Sequence, residues 1–199
     1  MKKSLLAAAA ICALTIGAAS AQTAEGPWMV RARAVSLQST NGDGTSLGLS
    51  INNKVIPEVD FTYFFTPNVA AELILTVPQQ HTLHSRTVGG DIGTLKHLPP
   101  TLLLQYHFDA PGYKPYVGAG MNFTRFSDVD LTVAGAEVQS TSVGGALQVG
   151  VDVPVGKRLY VNFDIKKVYI GTDVYLNGSK LGTFRVDPLL IGVGLGYRF

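Results

Sequence analysis

The C-terminal stretch that decides the fold is Leu189-Leu190-Ile191-Gly192-Val193-Gly194-Leu195-Gly196-Tyr197-Arg198-Phe199. Counted back from Phe199 in steps of two, every residue is apolar or aromatic, whereas the residues between them are glycines, Leu190 and Arg198. Because a strand points successive side chains to opposite faces, this segment has one continuous apolar face. That face has to be covered by a protein core or by lipid, and the rest of the chain decides which.

The N-terminus has the pattern of an export signal. Lys2-Lys3 precedes an apolar run over residues 5–19, and Ala19-Ser20-Ala21 fits a signal-peptidase site. We therefore predict that residues 1–21 are a cleaved signal peptide and that residues 22–199 form one domain. The single cysteine, Cys12, leaves with the signal, which excludes disulfides in the mature chain. Without Lys2-Lys3 the basic and acidic residues are equal in number, so the charge does not indicate nucleic-acid binding.

Seven further segments repeat the alternation of the last strand. Their connections alternate between long and short, with short ones at residues 66–68, 109–114 and 154–157. This rhythm is typical of an antiparallel outer-membrane barrel with short periplasmic turns and long extracellular loops. A change of phase near Lys167 also predicts a bulge in the seventh strand. The predicted strands cover residues 28–37, 55–65, 69–77, 100–108, 115–125, 143–153, 159–170 and 189–199.

The two faces of these strands favour lipid over a soluble sandwich. One face is almost free of charge and has aromatic residues at the strand ends near the short turns, as an interfacial girdle requires. The sequence thus predicts an eight-stranded antiparallel transmembrane β-barrel in the bacterial outer membrane. We expect the charges of the opposite face to form a plug in the lumen, made of Arg31, Arg33, Glu58, Asp60, Glu72, Asp152, Asp164, Lys166 and Arg198.

Four segments resemble one known family. Residues 96–108, Lys-His-Leu-Pro-Pro-Thr-Leu-Leu-Leu-Gln-Tyr-His-Phe, resemble the fourth-strand motif of the OmpW family of small outer-membrane proteins, and residues 114–124, 192–199 and 28–33 look like its fifth, last and first strands. The resemblance implies a monomeric eight-stranded barrel. It also implies passive passage of small hydrophobic molecules, with a relative devoted to alkane uptake.

The lumen is predicted to become less polar above the charges. Phe64, Ile74 and Leu103 face inward among polar neighbours, and Leu47 and Leu49 lie in the first long loop. Because apolar groups inside a polar lumen suit an apolar guest, these five residues are candidates for a funnel that binds small hydrophobic solutes. The alternative is that they only fill the barrel, since eight strands enclose just enough room for side chains.

Pro99 and Pro100 are the second candidate feature. Neither residue donates a hydrogen bond to a neighbouring strand, and proline in a sheet belongs at edges and bulges. One interpretation is a lateral gap through which an apolar solute leaves into the bilayer. The other is that the pair only ends the strand at the membrane surface.

Other function classes have weaker support in the sequence. His81, His84 and His97 are too few and too loosely spaced to predict a metal site, and no motif indicates a cofactor. His84-Ser85 is the one adjacent His–Ser pair, but there is no G-x-S-x-G motif, so we do not expect an enzyme. A structural or receptor barrel, whose loops bind external ligands without transport, remains the alternative function.

The last strand also predicts how the chain is recognised for assembly into the outer membrane. Tyr197 and Phe199 become interfacial aromatics, and by resemblance to outer-membrane barrels in general they form the recognition signal for the barrel-assembly machinery. The expected partners are therefore outer-membrane lipid, small hydrophobic solutes and that machinery.

Overall fold

The structure is a computed structural model that describes residues 26–199, so the predicted signal peptide lies outside the described residues. No helix among the described residues is long and apolar enough to span a membrane. The fifteen strands are β1 (Trp28–Gln38), β2 (Gly42–Asp43), β3 (Leu49–Ile51), β4 (Lys54–Phe64), β5 (Val69–Thr76), β6 (Gln79–Ser85), β7 (Gly90–Leu98), β8 (Thr101–His107), β9 (Lys114–Leu131), β10 (Ala136–Val138), β11 (Thr141–Pro154), β12 (Leu159–Val168), β13 (Gly171–Leu176), β14 (Ser179–Arg185) and β15 (Leu189–Arg198).

Eight of these strands close into a barrel. Each pairs antiparallel with its neighbours in the order β1, β4, β5, β8, β9, β11, β12 and β15, and β15 returns to pair with β1. The predicted barrel is therefore confirmed. Its last strand lies against its first with Arg31 opposite Gly196, where a Cβ on the glycine would come within 3.1 Å of the Arg31 Cγ. The glycines of the last strand thus leave room for arginine stems in the lumen.

The outer surface of the barrel is the apolar face of the strands. Leu104, Val149 and Leu195 are more than half exposed there, as side chains that contact lipid must be. The aromatic residues predicted for the girdle point outward beside the short turns and pack edge to face or stacked, as in Trp28 against Tyr63 and Tyr106 against Phe108. Both ends of the described chain lie on this side of the barrel, because the amide of Trp28 donates to the Phe199 carbonyl.

The extracellular loops are folded, which the sequence did not predict. β9 continues past the barrel to Leu131 and pairs there with β7, which extends the wall through β6 to β3. A second sheet, in the order β10, β13, β14 and β2, faces this extension. The long loop expected between the strands predicted over residues 115–125 and 143–153 is therefore partly strand, because β9 runs to Leu131 and β10 follows it. Apolar side chains such as Phe126 and Phe184 are buried in a common core between the two sheets.

The predicted bulge at Lys167 is wrong. β12 keeps an unbroken register with β11 and β15 through this residue, with Lys167 opposite Leu147 and Leu189. The side chains still alternate, so Lys166 and Val168 both point into the lumen. The apparent change of phase arises because the lumen itself changes from polar to apolar between these two positions.

Candidate functional site

The lower lumen is closed by one network of buried charges. Arg31 is completely buried and holds Asp152 through two bonds, with its Nη2 2.6 Å from Oδ2 and its Nε 3.1 Å from Oδ1. Its Nη1 lies 3.0 Å from Asp60 Oδ1. Arg33 reaches Glu58 at 2.7 Å and Glu72 at 2.8 Å. The structure thus brings together the predicted pairs on adjacent strands, since Arg31 is opposite Asp60 and Arg33 opposite Glu58 in the ladder.

Lys166 joins the upper edge of this network. Its Nζ lies 2.7 Å from Glu58 Oε1 and also contacts Asp164. Glu58 therefore lies between Lys166 and Arg33, and no charge of the upper layer is left without an opposite charge. A buried ion costs several kcal/mol to desolvate unless such partners and hydrogen bonds surround it. The network is consequently compact, and it fills the barrel rather than lining a pore.

Neutral polar side chains complete the network, and the sequence analysis missed them. Gln105 and Gln148 each donate to Glu72 Oε2 at 2.8 Å. Asn162 donates to the Tyr116 hydroxyl at 2.9 Å and to Asp152 at 2.8 Å. All four are buried polar residues at inward positions of β8, β9, β11 and β12. Their inward phase in the strands is the sequence signal for them, since uncharged polar residues at inward positions face the same ions.

One of the predicted lumen residues lies lower than expected. Phe64 was expected among the apolar residues above the charges, but it packs with Met29, Ala70 and Tyr160 at the periplasmic end. The reason is that β4 descends, so its last residue lies below Asp60 rather than above it. Arg198 is beside it, with its guanidinium carbon 3.8 Å from the Phe64 ring centre and its Nε donating to the Gly26 carbonyl. Phe64 is therefore not part of an apolar funnel.

An apolar layer lies directly above the charge network. Ile74 and Leu103 are both buried there, as expected, in a cluster that continues into the extracellular sheets. A small cavity of about 20 Å³ opens in this layer, with Glu58 and Lys166 at its floor and with Ile74, Pro99 and His97 among its lining residues. The layer thus separates the sealed base from the upper chamber.

A larger cavity of about 110 Å³ lies between the two extracellular sheets. Leu47 and Leu49, the two predicted loop residues, line it together with Leu83, Leu95 and Phe184. Nearly all of its lining is hydrocarbon. A dry apolar cavity of this kind accepts apolar guests and resists polar ones.

The ladder between β5 and β8 is broken beside the small cavity. Pairing ends at Ile74 opposite Thr101 and resumes only at Gln79 opposite His97, where β6 meets β7. The Pro99 carbonyl in this interval accepts from the side chains of Asn122 at 3.2 Å and Thr101 at 3.2 Å. The other side of the strand is intact, because the Phe123 amide donates to the Pro100 carbonyl at 2.9 Å. Pro99-Pro100 therefore marks a break toward β5 only.

The candidate enzyme pair is separated by the strand geometry. His84 and Ser85 are consecutive residues of β6, so their side chains point to opposite faces. The exposed His84 Nδ1 lies 3.0 Å from Asp91, whereas the buried Ser85 hydroxyl donates to the Leu47 carbonyl at 2.7 Å. The two side chains do not form a catalytic pair. No cluster of three or more metal-ligating side chains occurs in residues 26–199.

His97 and His81 are buried in β7 and β6, the extension of the wall beyond the eight barrel strands, where outward residues such as Lys96 and Gln80 are polar. Their rings stack with centres 4.8 Å apart. Burial, the neighbouring His81 and Lys54 lower the pKa of His97 to about 3. Burial also lowers the pKa of His81. Both side chains are therefore neutral in the folded protein at neutral pH.

This burial predicts that acid loosens β6 and β7. An unfolded histidine has a pKa of about 6.5, so the unfolded segment binds more protons than the folded one between about pH 6.5 and 3. The free energy of unfolding therefore keeps its full value above this window. Within the window it falls by about 1.4 kcal/mol for each pH unit of acidification. We expect amide protection factors in β6 and β7 to fall accordingly. His97→Phe should weaken this dependence and His84→Phe should not; equal dependence in both variants would contradict the assignment.

The closed antiparallel barrel, its lipid-facing belt and its aromatic girdle define an integral outer-membrane β-barrel protein. The family model described as the OmpW family matches residues 24–199, and the chain belongs to that family. It is 36% identical to Outer membrane protein W of Escherichia coli, with both chains covered completely. It is also 30% identical to the dibenzothiophene metabolism operon protein PahQ of Pseudomonas aeruginosa, over 88% of this chain and 90% of PahQ.

The fold has a close counterpart among solved structures. The crystal structure of the outer-membrane protein OprG from Pseudomonas aeruginosa superimposes with a TM-score of 0.73 at 23% sequence identity, covering 90% of this chain and 99% of OprG. At this identity the likeness concerns the fold alone. Membership of the family and the outer-membrane location, both expected from the sequence, are confirmed.

Proposed function

We propose that this protein is a narrow conduit for the passive uptake of small hydrophobic molecules, which enter from outside and leave sideways into the bilayer. The observation that carries the proposal is the position of the broken ladder. The break lies directly above the sealed base and at the lower end of the apolar interior that contains both cavities, which we call the apolar column. The column contains both cavities, and residues that line each of them, such as Ile74 in the small one and Leu83 in the large one, belong to one buried apolar cluster.

The base of the barrel excludes an axial route for such a solute. Arg31, Glu72 and Asp60 are fully buried and hold one another across the lumen. An apolar molecule passing this level would have to separate paired ions without replacing their contacts, which costs several kcal/mol per ion. A solute that has reached the small cavity therefore needs another exit.

Pro99 supplies that exit. Successive residues of a strand direct their backbone groups to alternate sides. Pro99 precedes β8, and extending this alternation from Thr101, which lies opposite Ile74 of β5, puts the Pro99 nitrogen on the β5 side, where it has no N–H to donate. The small cavity is lined by Pro99 on one side and by Thr76, the last residue of β5, on the other. The break in the wall is thus contiguous with the cavity.

The relatives support an apolar cargo. PahQ is named for an operon of dibenzothiophene metabolism, and dibenzothiophene is a hydrophobic aromatic compound. The cavity walls favour the same class of solute, because removing apolar surface from water contributes about 25 cal/mol per Å². Together they favour transport over a purely structural barrel.

The two adjacent prolines provide a matched pair of variants. Pro99→Val restores a backbone N–H donor toward β5. A ladder hydrogen bond of about 1 kcal/mol would shift the equilibrium between the open and the closed gap about fivefold toward the closed form. Pro100→Val restores a donor toward β9, where the wall is already continuous. The measured quantity is the initial rate at which cells with the protein in their outer membrane accumulate radiolabelled octane. We expect Pro99→Val to lower this rate about fivefold and Pro100→Val to leave it unchanged.

The comparison uses equal amounts of folded barrel, measured by the electrophoretic mobility of unheated samples. Accumulation that is no faster in cells with the wild-type protein than in cells without it would refute the conduit. Faster wild-type accumulation with equal rates for both variants would refute the lateral exit alone.

A further inference from the structure

Three buried polar atoms lie together at the level of the broken ladder and have no hydrogen-bond partner among residues 26–199. They are Thr76 Oγ1, His81 Nε2 and His97 Nε2. A buried polar atom without a partner is unfavourable, and native proteins rarely keep one without a reason. Three such atoms on β5, β6 and β7 therefore indicate a site that a polar group from outside the chain can complete.

Two of these side chains share one cavity. Thr76 and His97 both line the cavity of about 20 Å³ at the foot of the apolar column. A space of this size holds one small group, since a water-sized probe needs about 10–15 Å³. His81 stacks on the His97 ring and its backbone is paired with Leu95, which lines the larger cavity above. The histidine pair thus adjoins the small cavity through His97 and is paired through the His81 backbone with a lining residue of the larger one.

The hydrogen-bonding capacity of the site defines the group it accepts. The His81 Nδ1 is 3.1 Å from the Asn52 carbonyl, which only accepts, so Nδ1 carries the proton and Nε2 is an acceptor. The Thr76 hydroxyl both donates and accepts. A hydroxyl group on the solute matches this set whichever nitrogen of His97 carries the proton, because a hydroxyl donates as well as accepts and can pair with Thr76 in either sense. A carbonyl only accepts, and a hydrocarbon does neither.

An anionic group does not match the site. Burial lowers the pKa of His97 to about 3, so its ring carries no charge at neutral pH. The cationic Lys166 at the cavity floor is already held by Glu58 and Asp164. No free positive charge therefore faces the cavity to pair with a carboxylate or phosphate.

We infer that Thr76 and His97, supported by His81, recognise the single hydroxyl group of an otherwise apolar solute as it passes to the lateral gap. The inference rests on the proposed conduit and names apolar alcohols as the solutes that it binds more tightly than unsubstituted hydrocarbons. The apolar body of the solute would lie along the column, with the hydroxyl in the small cavity.

Octanol and octane are suitable probes, because they differ only in the hydroxyl group. Their dissociation constants are measured with the full mature chain in lipid nanodiscs, and empty nanodiscs give the lipid background. We expect the wild type to bind octanol about tenfold more tightly than octane, since one well-made hydrogen bond in a buried site is of this order. His97→Phe and Thr76→Val should each bring the ratio close to one while octane binding persists.

The surface variant His84→Phe is the matched control and should keep the wild-type ratio. Nitrogen NMR of labelled imidazoles adds a direct readout, in which octanol should move the Nε2 resonances of His81 and His97 but not that of His84. A wild-type ratio near one, or an unchanged ratio in both His97→Phe and Thr76→Val, would overturn the inference and leave the conduit intact. Failure of the wild type to bind either probe would instead count against the proposed function.

Discussion

Arg31→Met is expected to lower the free energy of unfolding by about 3–5 kcal/mol. Arg31 holds Asp60 and Asp152 at 3.0 and 2.6 Å, and its side chain is completely buried. Methionine leaves these carboxylates in the lumen without the guanidinium that compensates them. The cost of such a change comes mainly from the uncompensated charges that remain, rather than from the lost attraction itself.

The measurement is urea-induced unfolding of the barrel in lipid vesicles, followed by far-UV circular dichroism. Lys180→Met removes one positive charge from an exposed pair with Asp173, 2.6 Å away at the extracellular surface. Exposed pairs contribute little, so this control should unfold like the wild type. If Arg31→Met also unfolds like the wild type, the charges do not form the tight plug described above.

Deletion of Phe199 is expected to remove most of the folded barrel from the outer membrane, without changing transport by the molecules that do fold. The Phe199 amide donates to the Trp28 carbonyl at 2.8 Å, and the Trp28 amide donates to the Phe199 carbonyl at 3.1 Å. These are the last two hydrogen bonds of the ladder that joins the C-terminal strand β15 to the first strand β1. Their loss leaves the first strand with unpaired backbone groups at the point where the barrel closes.

The amount of unheated, fast-migrating barrel in isolated outer membranes measures assembly. Phe199→Tyr keeps both the backbone and an interfacial ring, so it should assemble normally. Phe65→Ala removes an exposed aromatic of the same girdle away from the chain end and serves as the matched control. Wild-type levels of the truncated chain would contradict the role of the terminal residue, and an equal loss in Phe65→Ala would show that any girdle aromatic has the same effect.

The sequence predicts the wall of the barrel well, because lipid and lumen impose opposite polarity on alternate residues. Wherever that contrast holds, as in β1 with Arg31 and Arg33 inside, the face of each side chain follows from its position. The contrast disappears where the lumen becomes apolar. Val168 and Ile170 then resemble lipid-facing residues, although both are buried inside, and this produced the false bulge at Lys167.

The height of a side chain along the barrel axis was harder to predict than the side of the wall on which it lies. Alternation placed Phe64 correctly inside the lumen but not at the periplasmic end. Its height depends on the direction of β4 and on the register with β1, in which Trp28 lies opposite Tyr63. The extracellular sheets were missed for a related reason, since β10 and β2 are short and pair with β13 and β14 across long separations that local patterns do not report. The β13–β14 hairpin itself is local, and its Asn177-Gly178 turn was a signal that could have identified it.

The central claim is that an apolar solute occupies the column above the charge plug and leaves at Pro99. Anomalous diffraction from crystals of the protein soaked with bromooctane tests it directly, because the bromine marks the position of the chain. We expect bromine peaks in the large cavity beside Leu83 and Leu95, and at the break between Thr76 and Pro99. Peaks among Arg31, Asp152 and Arg198 at the periplasmic base, with none at the break, would contradict the account.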